Sequence, residues 1–276
     1  AAGNLYVNVG APSNACQEQL RTPGSPGQDP CPQLERQAGI WRFDANTLNQ
    51  TQEEDGYRYA TGIRNAVAVE WNSNVNELYA MQHGRDQLNT LYPEYYNDSM
   101  AAELPAEEFL RVNDGDDFGW PFCYYDPMKD QKVLAPEYGG NGEEIGRCED
   151  KEDPIMAFPA HWAPNDLVFY NGDQFPDKYQ NGAFIAFHGS WNRAPLPQKG
   201  YLIAFVPMEN GMPSGEYERF ADEFAGEGGE IASPSDAEFR PTGLATGPDG
   251  SIYITDDVSG RIWRVFYNDT QEMAMR

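Results

Sequence analysis

The chain has 276 residues and carries 44 acidic against 19 basic side chains, a formal charge of −25. That excess excludes a nucleic-acid binder, which needs a basic footprint to displace phosphate counterions, and it disfavours adsorption to an anionic membrane surface. Hydrophobic residues make up 40% and aromatics 13% of the chain, enough for a packed core, so the charge belongs to a folded surface.

In chain order, Asn4–Val9 reads as a strand, with β-branched and aromatic residues in alternation. It starts so early that a removed leader, or the front of a larger domain, is expected before it. Cys16 and Cys31 follow in a Gly/Pro-rich stretch, then strands over 39–43 and 77–81 and a short helix over 106–110, after Pro105. An insertion around 114–164 holds Cys123 and Cys148. Strands over 182–188, 201–206, 251–255 and 261–266 complete the set. No run approaches the roughly 18 apolar residues of a membrane helix, so membrane insertion is not expected.

The four cysteines fall into two local pairs, Cys16 with Cys31 and Cys123 with Cys148. Neither has the C-x-x-C spacing of a zinc site. Closing loops of this length adds roughly 3 kcal/mol by loop entropy, and two such disulfides imply a periplasmic or secreted location. Four unpaired thiols are the bland alternative. Only five basic residues are lysine. Such an acidic, lysine-poor surface suits a marine or halophilic setting, where screening blunts self-repulsion. Three sequons, at Asn49, Asn97 and Asn268, are compatible with surface loops.

The strand signals repeat. Gly39-Ile40-Trp41-Arg42-Phe43 and Gly260-Arg261-Ile262-Trp263-Arg264-Val265 read as one strand used twice. So do Leu5-Tyr6-Val7, Leu78-Tyr79-Ala80 and Ile252-Tyr253-Ile254, the last entered through the turn Gly247-Pro248-Asp249-Gly250. Degenerate repeats of short strands are the signature of a β-propeller. The expected fold is all-β: residues 1–276 form one propeller domain of about four blades with long loops. A closed ring commonly has six, so the first one or two blades are expected to lie outside this sequence.

At Gly62-Ile63-Arg64-Asn65 the chain resembles the soluble glucose/sorbosone dehydrogenase family, six-bladed propellers that bind pyrroloquinoline quinone (PQQ) and calcium. The match is closest to the sorbosone dehydrogenase-like branch and runs almost end to end. Its stations are Leu5 to Gly10 with Pro12-Ser13-Asn14, Gly39 to Asp44, Gly62 to Asn65, and Arg85-Asp86-Gln87-Leu88. Then come Asp117-Phe118-Gly119-Trp120-Pro121-Phe122, His161-Trp162-Ala163-Pro164, His188-Gly189-Ser190-Trp191-Asn192-Arg193, and Arg240-Pro241-Thr242-Gly243 with Asp256-Asp257.

PQQ is a planar ortho-quinone with three carboxylates, and arginine offers a fixed fork for such groups. The resemblance implies that Arg64 and Asn65 touch the quinone and the substrate side, with Arg64 in the catalytic role. It implies that Arg193, Lys199 and Arg240 hold cofactor carboxylates, and that main-chain oxygens of Gly84 and Arg85 bind calcium. The implied chemistry is oxidation of an aldose or sorbosone-like sugar: a base removes the hydroxyl proton, and hydride passes to the quinone. A cytochrome or quinone would then accept the electrons. The family's base is a His just before the strand that opens this sequence, and it is not among these residues. A fragment, a complementing chain elsewhere or an inactive relative would each account for that.

The three histidines all fall in these motifs. His161 is expected to line the cofactor pocket, and His188 either lines it or is a satisfied strand-end residue. His83 either lies near the site or caps a loop. Trp120 and Trp191 are expected to pack, with stacking on a sugar or cofactor left open for Trp191. Arg42 and Arg264 read as structural, and Asp256 and Asp257 as partners of an arginine or ligands of a metal. Asp114, Asp116, Asp117, Glu143 and Glu144 read as a solvated face, since they lack the register of a calcium loop. Two other functions stand beside oxidation: a non-catalytic binding or assembly propeller, and a calcium-dependent lactonase-type propeller.

Overall fold

The computed structural model describes residues 3–228 and 230–268. The chain is almost entirely antiparallel β-structure. Three strands, β1 (Asn4–Val9), β2 (Gly39–Asp44) and β3 (Tyr57–Thr61), form the first sheet in that order. The second sheet orders β4 (Ala66–Asn72), β5 (Glu77–Gln82), β6 (Glu107–Val112) and, beyond the hairpin of β7 (Cys123–Asp126) and β8 (Gln131–Leu134), β9 (Met156–Phe158). The third orders β10 (Pro164–Phe169), β11 (Ala183–His188) and β12 (Tyr201–Val206). The small ribbon β13 (Met208–Glu209) and β14 (Met212–Pro213) then leads to its outer strand β15 (Glu218–Ala221). The fourth orders β16 (Pro241–Thr246), β17 (Ile252–Asp256) and β18 (Ile262–Val265). These are blade-like sheets, and the expected propeller class is the fold; four such sheets of three or four strands lie within the described residues.

Sheet stacks on sheet through the period-2 alternation of each strand. In β11, Ala183, Ile185 and Phe187 enter the core shared with the second sheet, whereas Phe184 and Ala186 enter the core shared with the fourth. β12 divides the same way, with Leu202, Ala204 and Val206 on one side and Tyr201, Ile203 and Phe205 on the other. β12 is therefore apolar throughout, and β11 up to its terminal His188, as sequences buried on two faces must be. In β5, Leu78 and Ala80 pack toward the first sheet and Tyr79 and Met81 toward the third.

The sequence repeats have structural counterparts. β2 pairs with β1, and β18 pairs with β17, in the same order of connection. Both cysteine pairs are disulfides, Cys16–Cys31 and Cys123–Cys148. The helix expected over 106–110 is instead, from Glu107 onward, the first part of β6, hydrogen-bonded between β5 and β9. Five residues are too short to hold a helix against pairing on both edges.

Two short helices, α1 (Leu88–Leu91) and α2 (Asp98–Glu103), share a separate apolar cluster with the β7–β8 hairpin. Two buried ion pairs tie this region to the sheets. Arg85 donates to Glu137 through both terminal nitrogens, at 2.6 and 2.7 Å, and Lys132 donates to Glu108 at 2.7 Å.

Candidate functional site

Alternate connections of an antiparallel meander emerge at the same end of its sheet. The β1–β2, β3–β4, β5–β6, β9–β10 and β11–β12 connections meet at one end, around a cleft of about 290 Å³. That volume sits near the lower bound for small-molecule sites, roughly 300–1,000 Å³. Arg64, Asn65, His83, Asp86, Glu107 and His161 line it, with Arg21, Trp191 and Asn192 around them.

Arg64 is the cation at its centre. Its Nη1 donates to the Gly84 carbonyl at 2.8 Å and its Nη2 to Asn14 Oδ1 at 2.9 Å, with Asp86 Oδ2 3.7 Å away. Its Nε is buried without a partner. The Arg64 backbone N–H donates to Gln82 Oε1, and Gln82 donates on to Glu108, so the buried Glu108–Lys132 pair braces this residue from behind.

Two histidines are held neutral. His83 Nε2 donates to the Pro164 carbonyl at 2.8 Å, and burial pulls its pKa down to about 4. Its Nδ1 is therefore the bare nitrogen. His161 Nε2 donates to the Ala101 carbonyl at 2.7 Å, and its Nδ1 accepts from Asn192 Nδ2 at 3.1 Å. Burial lowers its pKa as well. His161 and Ala163 both have positive φ, 66° and 57°, a strained backbone that surrounding contacts must hold in place.

Glu107 opens β6 and is 2% exposed. Its carboxyl accepts from the Gly84 N–H at 3.0 Å and the Ala163 N–H at 3.3 Å. Burial pushes its pKa up to about 8, with Asp86 adding to the rise and the two N–H donors and Arg64 opposing it. The sequence reading missed this residue. The available signal was two successive glutamates inside an apolar strand, which alternation sends to opposite faces. Glu107 lines the cleft, and Glu108 meets Lys132 and Gln82.

Of the expected site residues, Arg64, Asn65, Gly84 and His161 are brought together here. Arg85 instead turns its guanidinium into the Glu137 pair. The Gly84 carbonyl, expected to face calcium, accepts from Arg64. Arg193 is 1% exposed, with its guanidinium held by the carbonyls of Ala102, Ala160 and Pro197 and by Glu103. Lys199 pairs with Glu230 in a separate depression. His188 and Arg240 sit together: Arg240 donates to the His188 and Gly189 carbonyls at 3.0 and 2.7 Å, and His188 Nε2 meets Asp257. Asp256 accepts backbone N–H groups, that of Arg240 among them, and among the described residues neither aspartate pairs with an arginine side chain.

The atoms without partners test whether the cleft suits a polar cofactor. Arg64 Nε is an orphaned donor and Asn192 Oδ1 an orphaned acceptor, both in residues that line it. Buried groups of this kind call for a partner, and a planar molecule bearing carbonyls and carboxylates supplies acceptors for the first. The donor set fits PQQ. It does not fit a cation at Gly84, whose carbonyl already faces a guanidinium. Among the described residues no three His, Cys, Asp or Glu side chains gather to hold a metal.

The sequence pattern of a family described as TrAA12-like matches residues 30–268. A Borreliella burgdorferi protein, described as uncharacterized, is 31% identical over 211 residues, covering 75% of this chain and 48% of that protein. The PQQ-dependent pyranose dehydrogenase of Coprinopsis cinerea is 24% identical over 280 residues, covering 87% of this chain and 36% of that enzyme. The chain thus spans no more than about half the length of these curated relatives. The holo PQQ domain of the Coprinopsis cinerea pyranose dehydrogenase superposes with a TM-score of 0.67 at 20% identity, covering 96% of this chain and 67% of that one. That likeness establishes the fold.

Proposed function

Because the chain belongs to the TrAA12-like family, we propose that it is part of a sugar dehydrogenase that uses PQQ. The observation that carries this reading is the buried, unpaired Nε of Arg64 in a cleft that also holds the His83 imidazole and the carboxyl groups of Asp86 and Glu107. When bound, PQQ supplies a two-electron acceptor for the hydride of a sugar carbon. Arg64 and Asn65 are the residues of this cleft that would hold it, and Arg240 is the further arginine the resemblance implies.

The protein's own groups supply the rest. Arg64 is a positive charge oriented in advance by the Gly84 carbonyl and Asn14, and a preorganised charge stabilises negative charge that develops beside it. The atoms available to take a proton from a sugar hydroxyl are His83 Nδ1 and the Asp86 carboxylate. Asn192 holds Asp86 and His161 in register through one amide nitrogen. Glu107 clamps the Gly84 and Ala163 backbones on either side. Calcium rests on the resemblance alone, and no step is assigned to it.

The two disulfides support a periplasmic or secreted location. Among the described residues no helix is long and apolar enough to cross a membrane. A cytochrome or quinone is the proposed electron acceptor. The full-length protein loaded with PQQ should bleach a redox dye in the presence of aldoses. Arg64→Gln should lower kcat/KM about 100-fold or more, the scale of losing one preorganised charge donor. Absence of both PQQ binding and dye reduction with every sugar tried would leave the non-catalytic reading in its place.

A further inference from the structure

Arg21 lines the mouth of the cleft. Among the described residues it is the one basic side chain with neither a carboxylate, a carbonyl nor an aromatic face as partner. The other arginines outside ion pairs are engaged elsewhere: Arg58 with the Glu35 carbonyl, Arg240 with two carbonyls, and Arg261 over Phe239. In a chain of charge −25, a guanidinium with neither an acid nor any other partner stands out.

The loop that carries Arg21 is built to hold it still. Cys16–Cys31 closes the loop. The 2% exposed Gln17 then moulds the turn, accepting from the Arg21 N–H at 3.0 Å and donating to the Thr22 and Ser25 carbonyls. The turn docks on α1, where the Gly24 N–H donates to the Leu91 carbonyl and Tyr92 donates to the Ser25 carbonyl. Arg21 itself sits at φ +55°, a left-handed conformation that this packing enforces. Its backbone is thus a rigid base, so the ordering required on binding is that of the side chain alone.

Trp191, 58% exposed, lines the same cleft. An aromatic face suits the C–H face of a pyranose ring, and an arginine fork suits a carboxylate. Arg64 lines the same cleft, with its Nε buried and unpaired. The two cations therefore differ in exposure: the buried N–H faces whatever the cleft encloses, and the exposed Arg21 faces what arrives from solvent.

We propose that Arg21 binds the carboxylate of an acidic sugar, so that the cleft selects uronates over the corresponding neutral hexoses. This rests on the sugar-dehydrogenase reading above. The carboxylate could come from the substrate or from the quinone cofactor, and the experiment separates the two.

The test uses the full-length protein, with and without PQQ, and D-galacturonate against D-galactose as probes. Calorimetric titration gives each Kd, and the ratio of kcat/KM values gives selectivity. Arg21→Gln, at an exposed position, should lower the galacturonate-to-galactose ratio about tenfold in both measurements, the scale of one charge-assisted contact. Arg21→Lys, which keeps the charge without the fork, should fall between. The difference should shrink between 0.05 and 1 M NaCl as screening tightens. An unchanged ratio in Arg21→Gln overturns the proposal. So does a loss confined to PQQ affinity, which assigns Arg21 to the cofactor. If the wild-type protein neither binds PQQ nor oxidises any sugar, the dehydrogenase reading fails, and galacturonate calorimetry still decides the role of Arg21.

Discussion

Glu107 concentrates the electrostatic strain of the cleft. Its folded pKa, about 8, lies above the ordinary value of 4.5. A carboxyl shifted upward contributes stability that is complete below about 4.5 and is lost as pH rises through about 8. Glu107→Gln removes that dependence. Relative to the native protein it should gain on the order of 3–5 kcal/mol between pH 4.5 and pH 8, as read from urea unfolding at both pH values. A constant difference across that window would show that Glu107 ionises normally. His83 acts in the opposite direction. Its folded pKa of about 4 lies below 6.5, so its contribution is complete above 6.5 and is lost as pH falls toward 4. His83→Gln should flatten that acid limb in the same unfolding measurement.

The β7–β8 hairpin is attached to the sheets by charge as well as by apolar contact. Glu137 is fully buried against Arg85, and Lys132 against Glu108. Removing one member of such a pair leaves an uncompensated charge without water, at about 3–5 kcal/mol. Glu137→Gln should therefore destabilise the protein by about that much in urea. Replacing both partners, as in Arg85→Met with Glu137→Leu, should recover most of it. A double variant no better than the single one would locate the effect in packing. Because Arg85 follows Gly84, the same pair fixes the loop that lines the cleft, and the insertion is part of the site's scaffold.

For the molecule as a whole, the excess of 25 negative charges has to sit on the surface. Buried pairs and disulfides are little affected by salt, whereas repulsion among exposed carboxylates is screened as the Debye length falls from about 10 Å at 0.1 M to about 3 Å at 1 M. The melting temperature should rise with NaCl, by about 2–4 °C for each kcal/mol of repulsion relieved. A flat or falling Tm between 0.1 and 1 M would mean that the acids are already neutralised locally. The two outer sheets have three strands each, against four in the middle two. On β18 the edge residue Ile262 is 70% exposed, while Trp263 packs inward.

The sequence by itself determined the all-β class, the repeated strands, both disulfides and the family. Each depends on short-range information: period-2 alternation, turn residues, and cysteines 15 and 25 residues apart. Five residues after Pro105 carried too little periodicity to separate helix from strand, and the pairing partners of β6 decided it. Only the tertiary structure decided which of the motif arginines line the cleft. Arg64 and Arg193 stand in equally strong motifs, yet Arg193 is filled by carbonyls of Ala102 and Ala160, contributed by distant segments. Arg64 keeps a buried, unpaired N–H because the backbone of Gly84 and the side chain of Asn14 satisfy only part of it. A guanidinium's role follows from what fills its hydrogen-bonding positions, and those partners lie tens of residues away along the chain.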